Sequence, residues 1–290
     1  MSQPKFAVIG HPIGHTMSPF IHQQLFAMRG LSFDYDVFDI PPQELEQWIP
    51  RLKEYTGFNI TIPNKEAILP FLDEIDPTAA AFGSVNTVKV QNGHMKGFTT
   101  DGPGCILALE RGGVIPRGNV LIAGTGGAAR ALAFALACYP GVEQITLASR
   151  TTSLSKGQAI AQAAESFAHS TGHTARLLCV PYEELEGTFD LMLNATSVGM
   201  RPNVNGCPVS DDVIARCKAV FDAVYNPGET VLLQKARAMG IPVVHGIDML
   251  VYQAAAAQMI WDESARFESE AVARLCRLAE EETQRRFQNR

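Results

Sequence analysis

The glycine-rich turn at residues 124–129 (GTGGAA) is where residue types and spacing first predict chemistry. It follows a short apolar run at 119–123 and precedes an alanine-rich segment at 130–137. A strand, a tight turn and a helix in that order present backbone amides at a helix N-terminus, which suits a dinucleotide pyrophosphate. Gly124 permits the tight turn, Gly126 permits close approach to a phosphate, and Ala129 permits close helix packing. The pattern predicts a dinucleotide site, with a plain structural turn as the alternative.

The end of the following apolar run indicates which dinucleotide is bound. Residues 145–151 contain no Asp or Glu, which an NAD enzyme would place on the ribose hydroxyls. They contain Arg150 between the hydroxyls of Ser149 and Thr151, with Lys156 further along the chain. A guanidinium can bind a 2′-phosphate through charge-assisted hydrogen bonds. We therefore predict NADP, with NAD less favoured; alternatively, Arg150 and Lys156 are solvated loop charges.

The composition narrows the classes of function. The chain has 290 residues, of which 46% are hydrophobic and 19% charged, and its net charge is -6. An acidic chain without clustered Lys and Arg does not fit a nucleic-acid surface. No apolar run approaches membrane-spanning length, and the first ten residues lead into a strand pattern without a basic and apolar leader. We expect a cytoplasmic protein with no nucleic-acid or membrane partner.

Metal ligands and disulfides are not indicated. The six cysteines are far apart and form no Cys-x-x-Cys pair, so we expect reduced, mostly buried thiols. His11, His15 and His22 lie close in sequence, but no carboxylate or Cys accompanies them at a metal-ligand spacing. We predict that these histidines are structural or lie at the edge of a cleft, and that the protein has no metal site.

The elements that must position these residues follow from periodicity and turn residues. Before the glycine turn the patterns predict strand 5–10, a helix from about Ser18, strand 33–40, a helix opened by Pro41, strand 57–62, and a hairpin of 85–90 and 95–99. From the turn onward they predict strands 119–123, 144–149, 176–180, 189–194, 219–223 and 242–245, with helices 127–138, 155–168 and 230–239. The chain from 249 is predicted to be helical, including 262–287 with Phe267, Val272, Leu275 and Leu278 on its apolar side.

This alternation predicts an α/β fold of two domains. Residues 1–104 would form an N-terminal α/β domain that binds substrate, and 105–246 a doubly wound (Rossmann) domain that binds the dinucleotide. Residues 247–290 would be helices that pack on the first domain. The amphipathic final helix is predicted to cover a core, and a partner-binding helix is the alternative.

Eight motifs in order along the chain resemble those of the shikimate dehydrogenase family. Four precede or reach the domain border: GHPIGHTMSPFIH (10–22), NITIPNK (59–65), GSVNT (83–87) and GFTTDGPG (97–104). Four follow: GTGGAA (124–129), NATSVGM (194–200), DAVYNP (222–227) and GIDMLVYQ (246–253). The resemblance covers nearly the whole chain. It implies an NADP-dependent enzyme that interconverts 3-dehydroshikimate and shikimate, a step towards aromatic amino acids.

The resemblance also implies roles for individual residues. Lys65, with Asp101 beside it, would handle the proton of the reacting hydroxyl; since a neighbouring carboxylate favours the charged ammonium, we expect the pair to act through shared hydrogen bonds. The implied substrate contacts are Thr16 and Ser18 on the carboxylate, then Asn59, Thr61, Lys65, Asn86, Asp101, Tyr225 and Gln253. The implied cofactor contacts are Gly124, Gly126, Gly127, Ala128 and Ala129 at the pyrophosphate, Ser149, Arg150 and Thr151 at the adenosine, and Thr196, Ser197, Val224 and Gly246 at the nicotinamide.

Several of these residues have structural alternatives. Ser18 could cap a helix, either alone or in addition to binding substrate. Asn59 and Asn86 could be turn residues. Lys65, taken without its motif, would be a solvated lysine.

Departures from the family pattern bear on specificity. Thr16 stands where the family usually has serine, and the added methyl could shift a preference by roughly 1 to 3 kcal/mol. Thr99 and Ser149 each replace an Asn, and the basic residue after the nucleotide loop is displaced to Lys156. Quinate, with NAD or NADP, or an amino analogue of shikimate stays open as substrate. A nucleotide-binding regulator without turnover is the alternative from another class, and a monomer and a homodimer are both compatible with the chain.

Overall fold

The chain folds into two compact units, each built around one six-stranded sheet. The computed structural model describes residues 3–14 and 16–287, so His15 lies outside the described residues. The first unit consists of Met1–Thr100 with Leu250–Ala279, and the second of Asp101–Met249 with Glu280–Arg290. The predicted α/β fold class is confirmed.

The first unit contains a mixed sheet. Its strands are β1 (Phe6–Gly10), β2 (Tyr35–Asp39), β3 (Gly57–Ile60), β4 (Glu74–Ile75), β5 (Thr87–Gln91) and β6 (His94–Phe98). Their order across the sheet is β2-β1-β3-β5-β6-β4. β1 runs parallel to β2 and β3, and the predicted hairpin is the antiparallel pair of β5 and β6. Every residue of the inner strands β1 and β3 is buried, which explains their short continuous apolar runs.

The second unit contains a fully parallel sheet. Its strands are β7 (Gly118–Ala123), β8 (Val142–Ser149), β9 (Arg176–Pro181), β10 (Leu191–Asn194), β11 (Val220–Asp222) and β12 (Val243–His245). The order β12-β11-β10-β7-β8-β9 is that of a doubly wound dinucleotide fold. The direction of winding reverses between β7 and β10. Ligands of such sheets bind outside the carboxyl ends of the strands at this point.

Eleven α-helices lie in the described part of the chain. They are α1 (Ser18–Met28), α2 (Leu45–Leu52), α3 (Asn64–Ala67), α4 (Pro77–Phe82), α5 (Asp101–Arg111), α6 (Gly127–Ala137), α7 (Leu154–Ser170), α8 (Asp211–Ala215), α9 (Val231–Ala238), α10 (Gly246–Trp261) and α11 (Ser269–Phe287). None of the helices within residues 3–14 and 16–287 has the length and apolarity needed to cross a bilayer.

The C-terminal helices differ from the sequence prediction. The helix predicted over 262–287 is wrong for 262–268, because α10 ends at Trp261 and α11 begins only at Ser269. Asp262 instead accepts hydrogen bonds from the amide (2.9 Å) and hydroxyl (2.7 Å) of Ser264, a local turn that competes with helix. Asp262 also pairs with Arg29.

The buried face of α11 differs too. Leu278, predicted on the apolar side, is 39% exposed. Val272 and Leu275 are buried as predicted, and the other buried residues of the helix are Cys276, Ala279, Thr283 and Phe287. These residues still form one stripe along the helix, in which Ala279 rather than Leu278 is buried.

The start of α1 corrects another expectation. The helix begins at Ser18, but its N-cap position is Met17, which provides no side-chain cap. The hydroxyl that accepts from the first helical amide belongs to Thr16, whose Oγ1 lies 3.1 Å from the Ser18 nitrogen. Ser18 is therefore not the capping residue, and a proline follows it within the first turn as predicted.

Candidate active site

A network of buried hydrogen bonds around Asn86 connects three segments of the first unit. The Asn86 side-chain oxygen accepts from the Thr100 amide at 2.8 Å. Its side-chain nitrogen donates to the Thr100 hydroxyl at 2.9 Å and to the Gln253 oxygen at 3.2 Å. Asn86 and Gln253, both predicted as substrate contacts, are therefore brought together and held in fixed orientations. Thr100 belongs to the same network, although only its place in a family motif pointed to it beforehand.

Asn59 extends the network towards β2. Its side-chain nitrogen donates to the Thr87 hydroxyl at 3.1 Å and to the Asn86 carbonyl at 3.3 Å. Its oxygen accepts from the Tyr35 phenol at 2.8 Å. Asn59 is 5% exposed, so these bonds satisfy an amide that is removed from solvent. The alternative interpretation of Asn59 as a turn residue is wrong, because it lies within β3.

The residues around Ser18 adjoin the same region. The Ser18 hydroxyl interacts with the Tyr35 phenol, and it partly offsets the raised pKa that burial gives this tyrosine. His22, one turn along α1, stacks on Tyr35 with ring centroids 4.5 Å apart. Burial lowers the pKa of His22 to about 3, so its imidazole is neutral at neutral pH. Of the three histidines considered above, His22 is thus a core residue of the first unit, as expected.

Gln258 fixes the orientation of the His22 ring. The Gln258 side-chain nitrogen lies 3.3 Å from His22 Nδ1 and 3.0 Å from the His22 carbonyl. Since an amide nitrogen only donates, Nδ1 accepts and the ring proton is on Nε2. The neutral imidazole therefore belongs to the packing of α1 against α10 residues of the first unit. His11, by contrast, pairs with Asp39 at 2.6 Å, and both of these side chains are about half exposed.

Thr61 and Lys65 follow β3. The Thr61 amide donates to the Ile9 carbonyl at 2.9 Å, and the Thr61 methyl occupies the space that a side chain at Gly10 would need. Lys65 lies in α3, and its carbonyl accepts from the Val85 amide at 3.0 Å. Both side chains are partly exposed. The backbone around Lys65 is therefore fixed while its side chain retains access to solvent.

Two predicted substrate contacts lie in the second unit. Asp101 is the first residue of α5 and is 5% exposed; burial and the Asp101 charge raise the pKa of the Cys105 thiol one turn along the helix. Tyr225 follows β11, and burial raises its pKa to about 12, so its phenol stays protonated at neutral pH. Their assignment to substrate stays a prediction.

The glycine turn of the second unit has the shape that a pyrophosphate requires. Gly124 has φ +110, and a side chain there would meet the Thr196 methyl at 2.8 Å. Apart from the glycine itself and the adjacent backbone, no described atom lies within 4 Å of the position that a Cβ would take at Gly126 or Gly127. The N-cap residue of α6 is Gly126, which has no side chain to cap the helix. The first-turn amides of an eleven-residue helix therefore have no side-chain acceptor at the N-cap, and a dinucleotide phosphate fits there.

The residues that follow or end β8 differ in their exposure to solvent. Arg150 and Thr151 are exposed, and Lys156 is exposed in the first turn of α7. Ser149 is 2% exposed, and its hydroxyl donates to the Arg150 carbonyl at 3.2 Å. Arg150 is the charged group available to a 2′-phosphate in this loop, whereas the Ser149 hydroxyl is already used within the protein. Tyr182 lies nearby and was not predicted from the sequence. Burial raises the pKa of its phenol, and the Arg150 charge partly offsets this increase.

A third cluster lies where β10 and β11 end. Asn194 and Asp222 are register partners on these neighbouring parallel strands, and both are fully buried. Asp222 accepts from the Asn194 side chain (2.8 Å), the Val224 amide (2.9 Å) and the Thr230 hydroxyl (2.6 Å). Burial raises the pKa of Asp222 to about 6, against the lowering effect of these three bonds and of the His245 charge. The loops that carry the predicted residues Thr196, Ser197 and Val224 start from this cluster.

Gly246 has a structural reason to be glycine. A Cβ at this position would lie 2.6 Å from the carbonyl oxygens of both Asp222 and Ala223. The end of β12 and the start of α10 therefore pack directly on the backbone after β11. This close approach accounts for Gly246 without a ligand, and its assignment to the nicotinamide stays a prediction.

Metal-ligating side chains do not cluster in the part of the chain that the structure describes. Within 3–14 and 16–287 there is no group of three or more His, Cys, Asp and Glu side chains that could hold a metal ion. The six cysteines are free thiols; Cys138 and Cys207 are partly exposed and the other four are buried.

Comparison with known proteins identifies the family. The family model described as the shikimate dehydrogenase substrate binding domain matches residues 8–88. Proteins named shikimate dehydrogenase (NADP(+)) from Caldanaerobacter subterraneus subsp. tengcongensis and Moorella thermoacetica are 40% and 41% identical over 262 residues, which are 88% of this chain and 90% and 86% of those proteins. The chain belongs to the shikimate dehydrogenase family, as its eight motifs predict.

A solved structure extends the similarity to the whole fold. The shikimate 5-dehydrogenase of Thermus thermophilus, in complex with NADP(H) and shikimate, is 33% identical with a TM-score of 0.84. The match covers 96% of this chain and 100% of that chain. The two-domain Rossmann-type architecture predicted from the sequence is thereby confirmed.

Proposed function

We propose that this protein catalyses the NADP-dependent, reversible reduction of 3-dehydroshikimate to shikimate, a step towards aromatic amino acids. The observation that carries the proposal is the identity of about 40% over 88% of the chain with enzymes named shikimate dehydrogenase (NADP(+)). The exposed Arg150 and the open glycine turn support NADP as the nucleotide. The protein is an oxidoreductase that acts on a secondary alcohol and its ketone.

The first unit would orient the substrate. Thr16 and Ser18 would hold the carboxylate, while Asn59, Thr61, Asn86 and Gln253 would contact the ring hydroxyls. Because the Asn86 and Asn59 amides are already fixed by buried hydrogen bonds, substrate binding would not have to order them. This preorganisation supports a rigid site for a polyhydroxylated ring.

The proton of the reaction would be handled at Lys65 Nζ, with Asp101 as its partner. In the direction of reduction the Lys65 ammonium donates a proton to the carbonyl oxygen, and in the direction of oxidation the amine receives the hydroxyl proton. The bound nucleotide supplies the hydride for reduction and accepts it for oxidation. The Asp101 carboxylate would favour the charged ammonium and orient it through a shared hydrogen bond.

A grid of two substrates and two nucleotides tests the proposal. Nicotinamide absorbance is followed with shikimate or quinate and with NADP or NAD, and kcat/KM is expected to be highest for shikimate with NADP. A clearly higher kcat/KM with quinate would identify quinate as the preferred substrate. An equal or higher kcat/KM with NAD would contradict the preference for NADP. Binding of NADPH without turnover on either acid would favour the non-catalytic regulator.

Further properties of the protein stay predictions. We expect a cytoplasmic protein that is a monomer or a homodimer and has no nucleic-acid partner. Light scattering coupled to gel filtration would distinguish the two states, because the monomer has a mass of 31.5 kDa.

A further inference from the structure

The carboxyl ends of β10 and β11 carry two equivalent turns that are joined side by side. In the first, the Asn194 side-chain oxygen accepts from the Thr196 amide at 3.0 Å, two residues along. In the second, the Asp222 carboxylate accepts from the Val224 amide at 2.9 Å, also two residues along. The 2.8 Å bond from the Asn194 amide to Asp222 joins the two turns. Asn and Asp side chains stabilise such turns by replacing a backbone acceptor.

The bonds continue into both loops. The Thr196 hydroxyl donates to the Asn194 oxygen at 2.7 Å and accepts from the Val198 amide at 3.1 Å. On the other side, the Asp222 carboxylate accepts from the Thr230 hydroxyl at 2.6 Å, and Thr230 caps α9 by accepting from the Leu233 amide. One buried pair of side chains therefore sets the backbone of two loops and the start of a helix.

The cost of this arrangement argues that it does more than hold the fold together. A buried carboxylate is expensive to desolvate, and a well-packed neutral group of similar size often stabilises a protein equally well. With a pKa of about 6, Asp222 is mostly ionised at neutral pH and accepts all three bonds. Its three donors are an amide side chain, a backbone amide and a hydroxyl, so the charge is compensated by dipoles.

We propose that Asn194 and Asp222 are positioning residues for the nicotinamide half of the nucleotide. Their bonds would fix Thr196, Ser197 and Val224 in the geometry that receives this half, without touching it themselves. The inference rests on the proposed function, since it takes the positions of the nicotinamide contacts from there. None of these bonds involves Ser149, Arg150 or Thr151, to which the adenosine side of the nucleotide is assigned.

The test compares a whole nucleotide with a fragment that lacks the nicotinamide. Dissociation constants are measured for NADPH by its fluorescence and for adenosine 2′,5′-bisphosphate by calorimetry. Asn194→Ala is expected to raise the constant for NADPH about tenfold and to leave that for the fragment within about twofold. Asp222→Asn is expected to raise the NADPH constant about threefold, because the amide oxygen still accepts from Asn194 and Val224.

Asp190, the residue before β10, provides a matched control. It lies directly before β10, at the opposite end from Asn194, and accepts from the Asn119 amide at 3.0 Å and from the Lys218 ammonium at 2.6 Å. Asp190→Asn removes a charge and weakens similar bonds, so it lowers stability by a comparable mechanism. Both dissociation constants are expected to stay within about twofold of the wild type.

Each outcome decides the proposal. The proposal would be overturned if Asn194→Ala changed the dissociation constants for NADPH and the fragment equally, or changed neither. It would also be overturned if Asp190→Asn showed the same selective loss of NADPH binding. If Asn194→Ala does not fold, as judged by circular dichroism, Asp222→Asn decides by the same ratio. Wild-type protein that binds neither compound contradicts the proposed function itself, whereas wild-type binding with an unchanged ratio in the variants contradicts only this inference.

Discussion

The buried hydrogen bonds around Asn86 in the first unit join amides and hydroxyls, whereas those around Asp222 in the second converge on a carboxylate. Both networks hold residues that we assign to ligand binding, and both are almost completely removed from solvent. The first is built from neutral groups, with His22 adjoining it. The second is centred on a group whose pKa of about 6 lies close to neutral pH.

The difference shows two ways to preorganise a binding site. Neutral groups can be buried at moderate cost if every donor finds an acceptor, and their geometry is independent of pH. A carboxylate can anchor three donors at once, but it must be desolvated and its anchoring weakens when it is protonated. We therefore expect mild acid to leave the hydrogen bonds among the neutral groups around Asn86 intact and to weaken those that Asp222 accepts.

The largest expected effect separates the chemical step from nucleotide binding. Lys65→Ala should lower kcat by roughly 10² to 10⁴, the range that general acid–base catalysis contributes. Its dissociation constant for NADPH, measured by fluorescence, should not change, because Lys65 belongs to the first unit. Glu66→Ala, the exposed neighbour in α3, is the control and should keep wild-type turnover. A Lys65→Ala variant with turnover within about tenfold of wild type would remove this residue from the reaction.

The pH dependence of stability should have opposite signs in the two units. The pKa of His22 is about 3 in the fold and 6.5 in the unfolded chain, so below pH 6.5 the unfolded state takes up the proton and stability falls. The pKa of Asp222 is about 6 in the fold and 3.8 when unfolded, so the native state takes up the proton first and stability rises as the pH falls from 6 towards 4.

Urea unfolding at a series of pH values measures both signs. Between about pH 6.5 and 4.5, wild type should lose on the order of 2 kcal/mol relative to His22→Asn and gain a similar amount relative to Asp222→Asn. If the free energy of unfolding of both variants changed with pH in parallel with that of wild type, the predicted opposite signs would be wrong. His245, the titratable neighbour of Asp222, is kept in all proteins.

Arg150→Ala should sharpen the assignment of the nucleotide. Loss of one charge-assisted contact to the 2′-phosphate should raise the KM for NADP by about tenfold to a hundredfold and leave the KM for NAD within about threefold. Steady-state kinetics with each nucleotide provide the measurement. Arg176→Ala, an exposed arginine on β9, should change neither value. Equal losses with NADP and NAD would assign Arg150 to another part of the nucleotide.

The smallest expected effect concerns Thr16. Thr16→Ser keeps an oxygen that can accept from the Ser18 amide, so α1 should start at the same residue. Removal of one methyl should change the ratio of kcat/KM for shikimate over quinate by no more than about tenfold. Thr16→Val, which keeps the volume and removes the hydroxyl, should weaken both substrates and lower the melting temperature. An unchanged ratio in Thr16→Ser would exclude the methyl as a determinant of specificity.

Local patterns predicted most of the fold. Each strand of the second unit is a short apolar run that a turn ends, so its position can be read within a residue or two. α5 was missed because Gly102, Pro103 and Gly104 lie in its first turn and discourage a helix prediction. α4 was overlooked although its signals are present, namely Asp76 as N-cap and Gly83 as C-cap.

The site was only partly predictable, for a physical reason. Asn59, Asn86 and Gln253 could be named from the family motifs, but their orientations depend on partners that are distant in sequence, such as Tyr35 for Asn59 and Thr100 for Asn86. The joined turns at Asn194 and Asp222 depend on strand pairing, which no local pattern encodes. The family resemblance therefore predicts which groups take part, and the fold decides which of them are scaffold.

The exposure of Arg150 and Lys156 has a consequence for how readily nucleotide preference can evolve. Both side chains are exposed, Arg150 in the loop after β8 and Lys156 in the first turn of α7, so substitutions there should cost little folding free energy. Gly246, by contrast, faces two carbonyl oxygens at 2.6 Å and admits no side chain. A lineage under selection for NAD could explore the loop after β8 freely while the ends of β10, β11 and β12 stay closed to change. The same asymmetry tells a protein engineer where a mutant library should be placed.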